Sequence, residues 1–265
     1  SQDRQSINPL KFGVIASTDT HLGTPGAVDE SSFQGHGGAG KSFRSSIPDG
    51  LPDDVEFNPG GLAVAWAEEN SRSAIFDAFQ RKEVYGTSGP RFIVRFFVGD
   101  NLDKNLCNNP DNISYAYANA TPMGGTIASD SLSQPSIFIS ASADSSIKDQ
   151  FIEKLQVVKG VVRNGELLTT VHDVGVTNAQ SKLDIANCEV TGSGEKAMCS
   201  VWNDPNFNSS ENAYYYVRVV ANKSCRWSHN LCLQNPEYCE ADSDASIPKA
   251  IQERARTSPV WLETT

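Results

Sequence analysis

Asp19-Thr-His21 places a carboxylate and an imidazole two residues apart, directly after the apolar run Lys11-Phe-Gly-Val-Ile-Ala16. Carboxylate oxygen and imidazole nitrogen both suit zinc or manganese, and a carboxylate can bridge two ions. A buried strand ending at Ala16 would project both groups from its carboxyl end, where α/β barrels carry their catalytic side chains. Asp-x-His is also a common surface pairing. Its place between a buried strand and a long polar loop is what favours metal chemistry here.

Three further positions have the right chemistry. Glu68, Glu69 and Asn70 close a second apolar run, Leu62-Ala-Val-Ala-Trp66. Helix capping accounts for Glu69 and Asn70, because acids in a first turn complement the helix dipole, and Glu68 is kept as a candidate catalytic residue. Arg91 follows the turn Ser88-Gly89-Pro90 and can clamp an anionic substrate group bidentately, or pair with a carboxylate within a strand. The run Gly35-His-Gly-Gly-Ala-Gly-Lys41-Ser42 formally matches a phosphate-cradling loop. No buried strand precedes it, and Pro48 and Pro52 break any helix after it, so no nucleotide is expected there. A Gly-rich flap carrying His36 over a nearby site fits better. His172 and His229 read as structural or exposed, and no Gly-x-Ser-x-Gly elbow is present.

The elements that must hold these residues fall into two groups. Residues 11–16 and 62–66 read as buried strands, separated by a Gly-, Ser- and Pro-rich stretch with little periodicity. Asn70 or Ser71 caps a helix to about Arg81, with Ile75, Ala78, Phe79 and Lys82 on one stripe and Gly86 as the stop. Strand, loop, helix and strand in that order predict the tail of an α/β barrel or layered sheet. Past Gly89-Pro90 the runs 91–98, 136–141, 155–162, 167–174, 197–202 and 214–220 are β-branched or aromatic, with turn residues between them. They predict an antiparallel sandwich, and the boundary is set at residue 90.

A net charge of −10 and a pI near 4.9, with no clustered basic surface, argue against nucleic acid. No run approaches the roughly 18 apolar residues of a membrane span. Six cysteines lack the close pairs that zinc prefers, so disulfides are expected, and with them a secreted or periplasmic chain. Cys188 and Cys199 flank a Gly-Ser-Gly turn and are expected to join across a hairpin. At least one further bridge should involve Cys225, Cys232 or Cys239. Four sequons, at Asn112, Asn119, Asn208 and Asn222, fit an exported chain.

Several segments carry a resemblance to a known family. They include Ser17-Thr-Asp-Thr-His21, Gly61-Leu-Ala-Val-Ala-Trp-Ala-Glu-Glu-Asn70, Tyr85-Gly-Thr-Ser-Gly-Pro-Arg91, Leu155-Gln-Val-Val-Lys-Gly160, Cys225-Arg-Trp-Ser228 and Ile251-Gln-Glu-Arg254. Through them the chain resembles an exported bacterial family of unknown function, allied to the PHP (polymerase and histidinol phosphatase) metal-dependent phosphoesterases. The resemblance implies a distorted (β/α)₇ barrel with two or three divalent ions, zinc or manganese, whose last metal motif falls on Asp19 and His21. It implies hydrolysis of a phosphoester or related small anionic ester by metal-bound hydroxide. The His-x-His that opens such barrels is missing. Residues 1–90 are therefore expected to be the carboxyl-terminal part of the barrel, and residues 91–265 a β-rich, sandwich-like domain with a Cys-rich loop. The remaining ligands should come from an N-terminal segment of the same precursor, as a separate chain or a neighbouring stretch. The alternative is a secreted binding or structural protein on a catalytically inactive scaffold of the same origin.

Overall fold

The computed structural model describes residues 10–20, 23–33, 58–178, 180–236, 239 and 246–264. Among them the chain runs β1 (Leu62–Ala65), α1 (Arg72–Gln80), β2 (Val84–Thr87), β3 (Ile93–Asp100), α2 (Asn112–Asn119), β4 (Ala120–Pro122) and β5 (Thr126–Ala128). It continues through β6 (Pro135–Ser142), β7 (Ile152–Arg163), β8 (Glu166–Val176), β9 (Ser181–Asp184), β10 (Glu189–Gly192) and β11 (Ala197–Asn203). It ends with β12 (Ala213–Cys225), α3 (Trp227–Gln234), β13 (Ala250–Thr257) and β14 (Val260–Glu263).

Two sheets face each other. The larger has the order β1-β2-β13-β12-β14-β5, with β7 on the other edge of β12 and β8 beyond it. The smaller has the order β11-β6-β3-β4. Alternation explains how they meet, because every second side chain of a strand points to the same face. Tyr215, Val217, Val219 and Ala221 of β12 therefore enter one core with Phe96 and Val98 of β3 and with Ile137 and Ile139 of β6. The opposite face of β3 and β6, with Phe97 and Phe138, is covered by Leu102, Leu106 and Ala116, so the smaller sheet is buried on both sides.

The barrel expectation is overturned. A (β/α)₇ barrel needs parallel strands, each followed by a helix. Here β1 pairs antiparallel with β2, Leu62 opposite Thr87, and β2 then pairs antiparallel with β13. Among the described ladders only β14 with β5 is parallel, and no barrel closes. The larger sheet takes strands from both sides of residue 90. The order strand, loop, helix, strand suits either geometry, which is why it misleads.

Residues 11–16 do not join a ladder either. They lie against the β1–β2 pair, where a Cβ on Gly86 would meet Ala16 N at 2.9 Å, and are tied by the Val14 N–H to Ser258 Oγ at 2.9 Å. Leu10, Phe12 and Ile15 are 61%, 59% and 51% exposed, so the expected buried strand is instead a wet, apolar-studded strap. The helix is as expected at its start, where the Ser71 hydroxyl accepts from the Ala74 N–H. It also ends close to where expected, at Gln80 with Arg81 as its C-cap, but the chain turns away at Lys82, with φ 57°, and Gly86 lies inside β2.

Three disulfides are present, Cys107–Cys199, Cys188–Cys225 and Cys232–Cys239. The expected Cys188–Cys199 bridge is corrected, while bridges involving Cys225, Cys232 and Cys239 are found. Cys188 sits in the turn of the β9–β10 hairpin, a two-stranded sheet of its own, whereas Cys199 lies on β11 and pairs with β6 in the smaller of the two facing sheets. Among the described residues no helix is long and apolar enough to cross a membrane.

Candidate functional site

A cleft of about 410 Å³ opens where the 23–33 loop, the turn before β3, the end of β12 and β13 come together. The loop arrives there because Phe33 packs edge-on against Trp227, with ring centroids 5.2 Å apart. Gly89, at φ 147°, lets it come close: a Cβ there would sit 2.9 Å from the Val28 carbonyl oxygen. Asp29 braces the bend by accepting from the Ser31 N–H and hydroxyl at 2.9 and 2.8 Å.

Glu30 is thereby carried inward to 9% exposure. Its Oε2 accepts the Trp227 N–H at 2.5 Å, and its backbone carbonyl accepts from Asn230 Nδ2 at 3.0 Å. Its Oε1 is buried with no hydrogen-bond partner among the described residues. Glu253 of β13 lines the same cleft at 4% exposure, and the Ser88 hydroxyl donates to its Oε2. Burial and then the repulsion of Glu253 push the Glu30 carboxyl up to about 8, against the Trp227 N–H and the Arg226 charge. Burial pushes Glu253 up to about 7, against Ser88 and Arg254.

Arg91 is among the residues that line this cleft. Its backbone N–H donates to Asp144 Oδ2 at 2.7 Å. Burial opposes ionisation of Asp144, but the bonds from Ser146 and Arg91 outweigh it and hold the carboxyl below its usual range. The disulfide Cys188–Cys225 forms part of the wall. His229 brings a ring nitrogen within 4.8 Å of both sulfurs, and its Nε2 lies 2.7 Å from the Ile185 carbonyl oxygen. That trio is the one group of three metal-type ligands among the described residues, and its two sulfurs are committed to each other.

The other sequence-derived candidates scatter. Asp19 is exposed, at φ 53°, just beyond the strap, and does not line the cleft. Glu68 is exposed in the bend before α1. His21, His36 and the Gly35–Ser42 loop lie outside the described residues. Glu30 and Glu253 were missed by sequence reading, because neither stands in a recognisable motif. A signal did exist: the resembling segments 85–91, 225–228 and 251–254 supply Ser88, Gly89, Arg91, Cys225, Trp227 and Glu253, which all border the cleft or its acids.

The fold and cleft define an antiparallel two-sheet protein with a deep acid pair. The chain belongs to a family described as protein of unknown function (DUF3604), whose model matches residues 1–264. Comparison with curated proteins and with solved structures gave no match.

Proposed function

We propose that the chain serves an exported, metal-dependent hydrolase of phosphoester or related ester substrates. Asp19 and His21 would be two donors to a divalent-metal centre, zinc or manganese, completed by another segment of the same precursor. The observation that carries this reading is how Asp19 is presented. The strap lies so close to β1 and β2 that a Cβ on Gly60 would sit 2.6 Å from Ser17 O, and one on Gly86 would sit 2.9 Å from Ala16 N. The Gly61 N–H holds Ser17 O at 2.9 Å. An exposed carboxylate in the left-handed region, at the end of a segment clamped this tightly, is pre-positioned for a ligand.

The donor set within the described residues is partial, since Asp19 belongs to no group of three metal-type ligands there. The exposed Leu10, Phe12 and Ile15 beside it offer an apolar surface to the segment that would complete the centre. A divalent ion bound there would activate water at neutral pH. The kinship with PHP phosphoesterases, suggested by Ser17-Thr-Asp-Thr-His21, is part of the same proposal. The three disulfides support export.

The scatter of Glu68, Arg91 and Asp19 favours a second reading, a secreted binding or structural protein. One experiment separates the two. Precursor protein is assayed on an aryl phosphodiester with added manganese or zinc, alongside Asp19→Ala and His21→Ala. Turnover and bound metal lost together in both variants support the hydrolase. Metal content unchanged by the variants sinks it.

A further inference from the structure

We propose that Glu30 and Glu253 form a binding site for a hard divalent cation of the calcium class, set into the cleft wall and separate from Asp19. Three observations converge. Glu30 Oε1 is sealed from solvent without a hydrogen-bond partner among the described residues, while Oε2 is satisfied by the Trp227 N–H. Buried carboxylate oxygens are rarely left this way, and a ligand position is one physical explanation for such an orphan.

The second observation is the partner acid. Glu253 lines the same cleft and is buried deeper than Glu30. Burial together with like charge disfavours ionisation of both acids, and a bound cation would relieve it. The groups facing Glu30 are Glu253, Arg226 and Asp29; those facing Glu253 are Ser88 and Arg254. Arg226 offsets only part of the negative charge, because its attraction for Glu30 is weaker than the repulsion from Glu253. Its guanidinium also donates to Ser228 Oγ at 3.0 Å.

The third observation is donor chemistry. The buried donors are carboxylate oxygens, with the Ser88 hydroxyl already on Glu253. The sulfurs on the same wall are tied in the Cys188–Cys225 disulfide, so a thiolate-seeking ion gains nothing from them. The oxygens of Glu30, Ser88 and Glu253 come from a loop, a turn and a strand, with no regular octahedral frame. Calcium accepts irregular sets of oxygens and fills the remainder with water, whereas magnesium demands near-ideal geometry.

The test is calorimetric titration of the whole protein with calcium chloride at pH 7.5, after chelator treatment, with magnesium and zinc in parallel. One saturable calcium site per chain is expected. The heat should vary with the buffer's ionisation enthalpy, because carboxyls raised by burial give up a proton when the ion binds. Affinity should fall at least tenfold in Glu30→Gln and in Glu253→Gln, and stay the same in Asp103→Asn, an exposed acid elsewhere. Wild-type protein decides the question even if a variant misfolds: no saturable calcium binding overturns the site. Tighter binding of zinc or magnesium than of calcium overturns the assigned class. Calcium binding lost in Asp19→Ala but kept in both Gln variants moves the ion to the other centre and overturns the site as well.

Discussion

Lys159 of β7 and Asp204, in the turn after β11, meet inside the protein with Nζ 2.5 Å from Oδ2 and almost no solvent on either side chain. The pair is fully dressed. The Tyr215 hydroxyl donates to the same carboxylate oxygen at 2.6 Å, the Asn206 N–H to the other at 2.9 Å, and Lys159 donates to Asn206 O at 2.9 Å. Replacing one member leaves an uncompensated buried charge. Asp204→Ala is therefore expected to destabilise the fold by about 3–5 kcal/mol in denaturant unfolding. The double variant Asp204→Ala, Lys159→Met should recover a large part of that loss. A single variant within about 0.5 kcal/mol of wild type would show that the pair is not closed in solution.

The acid pair at the cleft makes stability depend on pH in the opposite sense from an ordinary salt bridge. Glu30 and Glu253 have folded-state values raised to about 8 and 7, above the ordinary carboxylate value. A raised carboxyl favours the folded state while protonated, so that contribution is full below about pH 4.5 and is lost as pH rises through 7 and 8. In chelator, the urea midpoint should fall between pH 5 and pH 8.5. Asp144 and Asp204, held low, act the other way and lose their contribution only in acid. Glu30→Gln with Glu253→Gln should flatten the alkaline decline. A midpoint rising through that range in wild type contradicts the assignment.

How much of this was legible depends on whether the signal is local. The six runs between 91 and 220 emerge as strands because β-branched and aromatic composition between turn residues is a local signal. In β12, Tyr215, Val217 and Val219 all face the core. Pairing is not written that way. Nothing in Val84–Thr87 announces a partner in β13, and nothing around Cys188 names Cys225 over Cys199. Arg91 was singled out because it follows a Ser-Gly-Pro turn, and it does line the cleft. Glu30 sits in a polar stretch whose burial is decided by Phe33 meeting Trp227, almost two hundred residues later. The apolar strap was misread for a related reason: Phe12 and Ile15 have strand character, but no strand among the described residues pairs with them.

Non-reducing peptide mapping should recover the pairs 107–199, 188–225 and 232–239. The first closes a loop of 92 residues and ties the short 3-10 helix Leu106–Asn108 to the smaller sheet. Replacing both Cys107 and Cys199 by Ser should cost about 4–5 kcal/mol on the loop-entropy estimate. A recovered Cys188–Cys199 peptide would contradict the packing of β11 against β6.

In a glycosylating host, Asn222 should remain bare while its sequon is intact. It is 3% exposed, its side-chain oxygen accepts the Phe151 N–H at 2.7 Å, and its amide donates to Asp149 O at 3.0 Å. A glycan has no room there in the folded chain. Glycopeptide mass spectrometry checks this directly, with Asn112, Asn119 and Asn208 as sites that keep more exposure. Full occupancy of Asn222 would mean that the end of β12 is open when the glycan is attached.

The clamp on Asp19 gives the last test. Gly60 and Gly165 both hold left-handed backbone, at φ 85° and 82°, so an alanine at either meets the same intrinsic strain, about 1–2 kcal/mol. Their surroundings differ. A Cβ at Gly165, in the β7–β8 turn, meets nothing within 4 Å, whereas one at Gly60 meets Ser17 O and Thr18 Cα at 2.6 Å. Gly165→Ala thus measures the backbone cost alone. Gly60→Ala adds a clash that must lift the strap, about 1–3 kcal/mol more if the strap were an ordinary packed element. Lifting should also expose residues 15–20 to protease in the Gly60 variant and leave them protected in the Gly165 variant. If Asp19 is a metal donor, metal content of the precursor should fall with Gly60→Ala, with its carboxylate untouched. Equal stability, equal cleavage and equal metal in the two variants would show that Gly60 does not press on the strap. The pre-positioning of Asp19 that supports the hydrolase reading would then be lost.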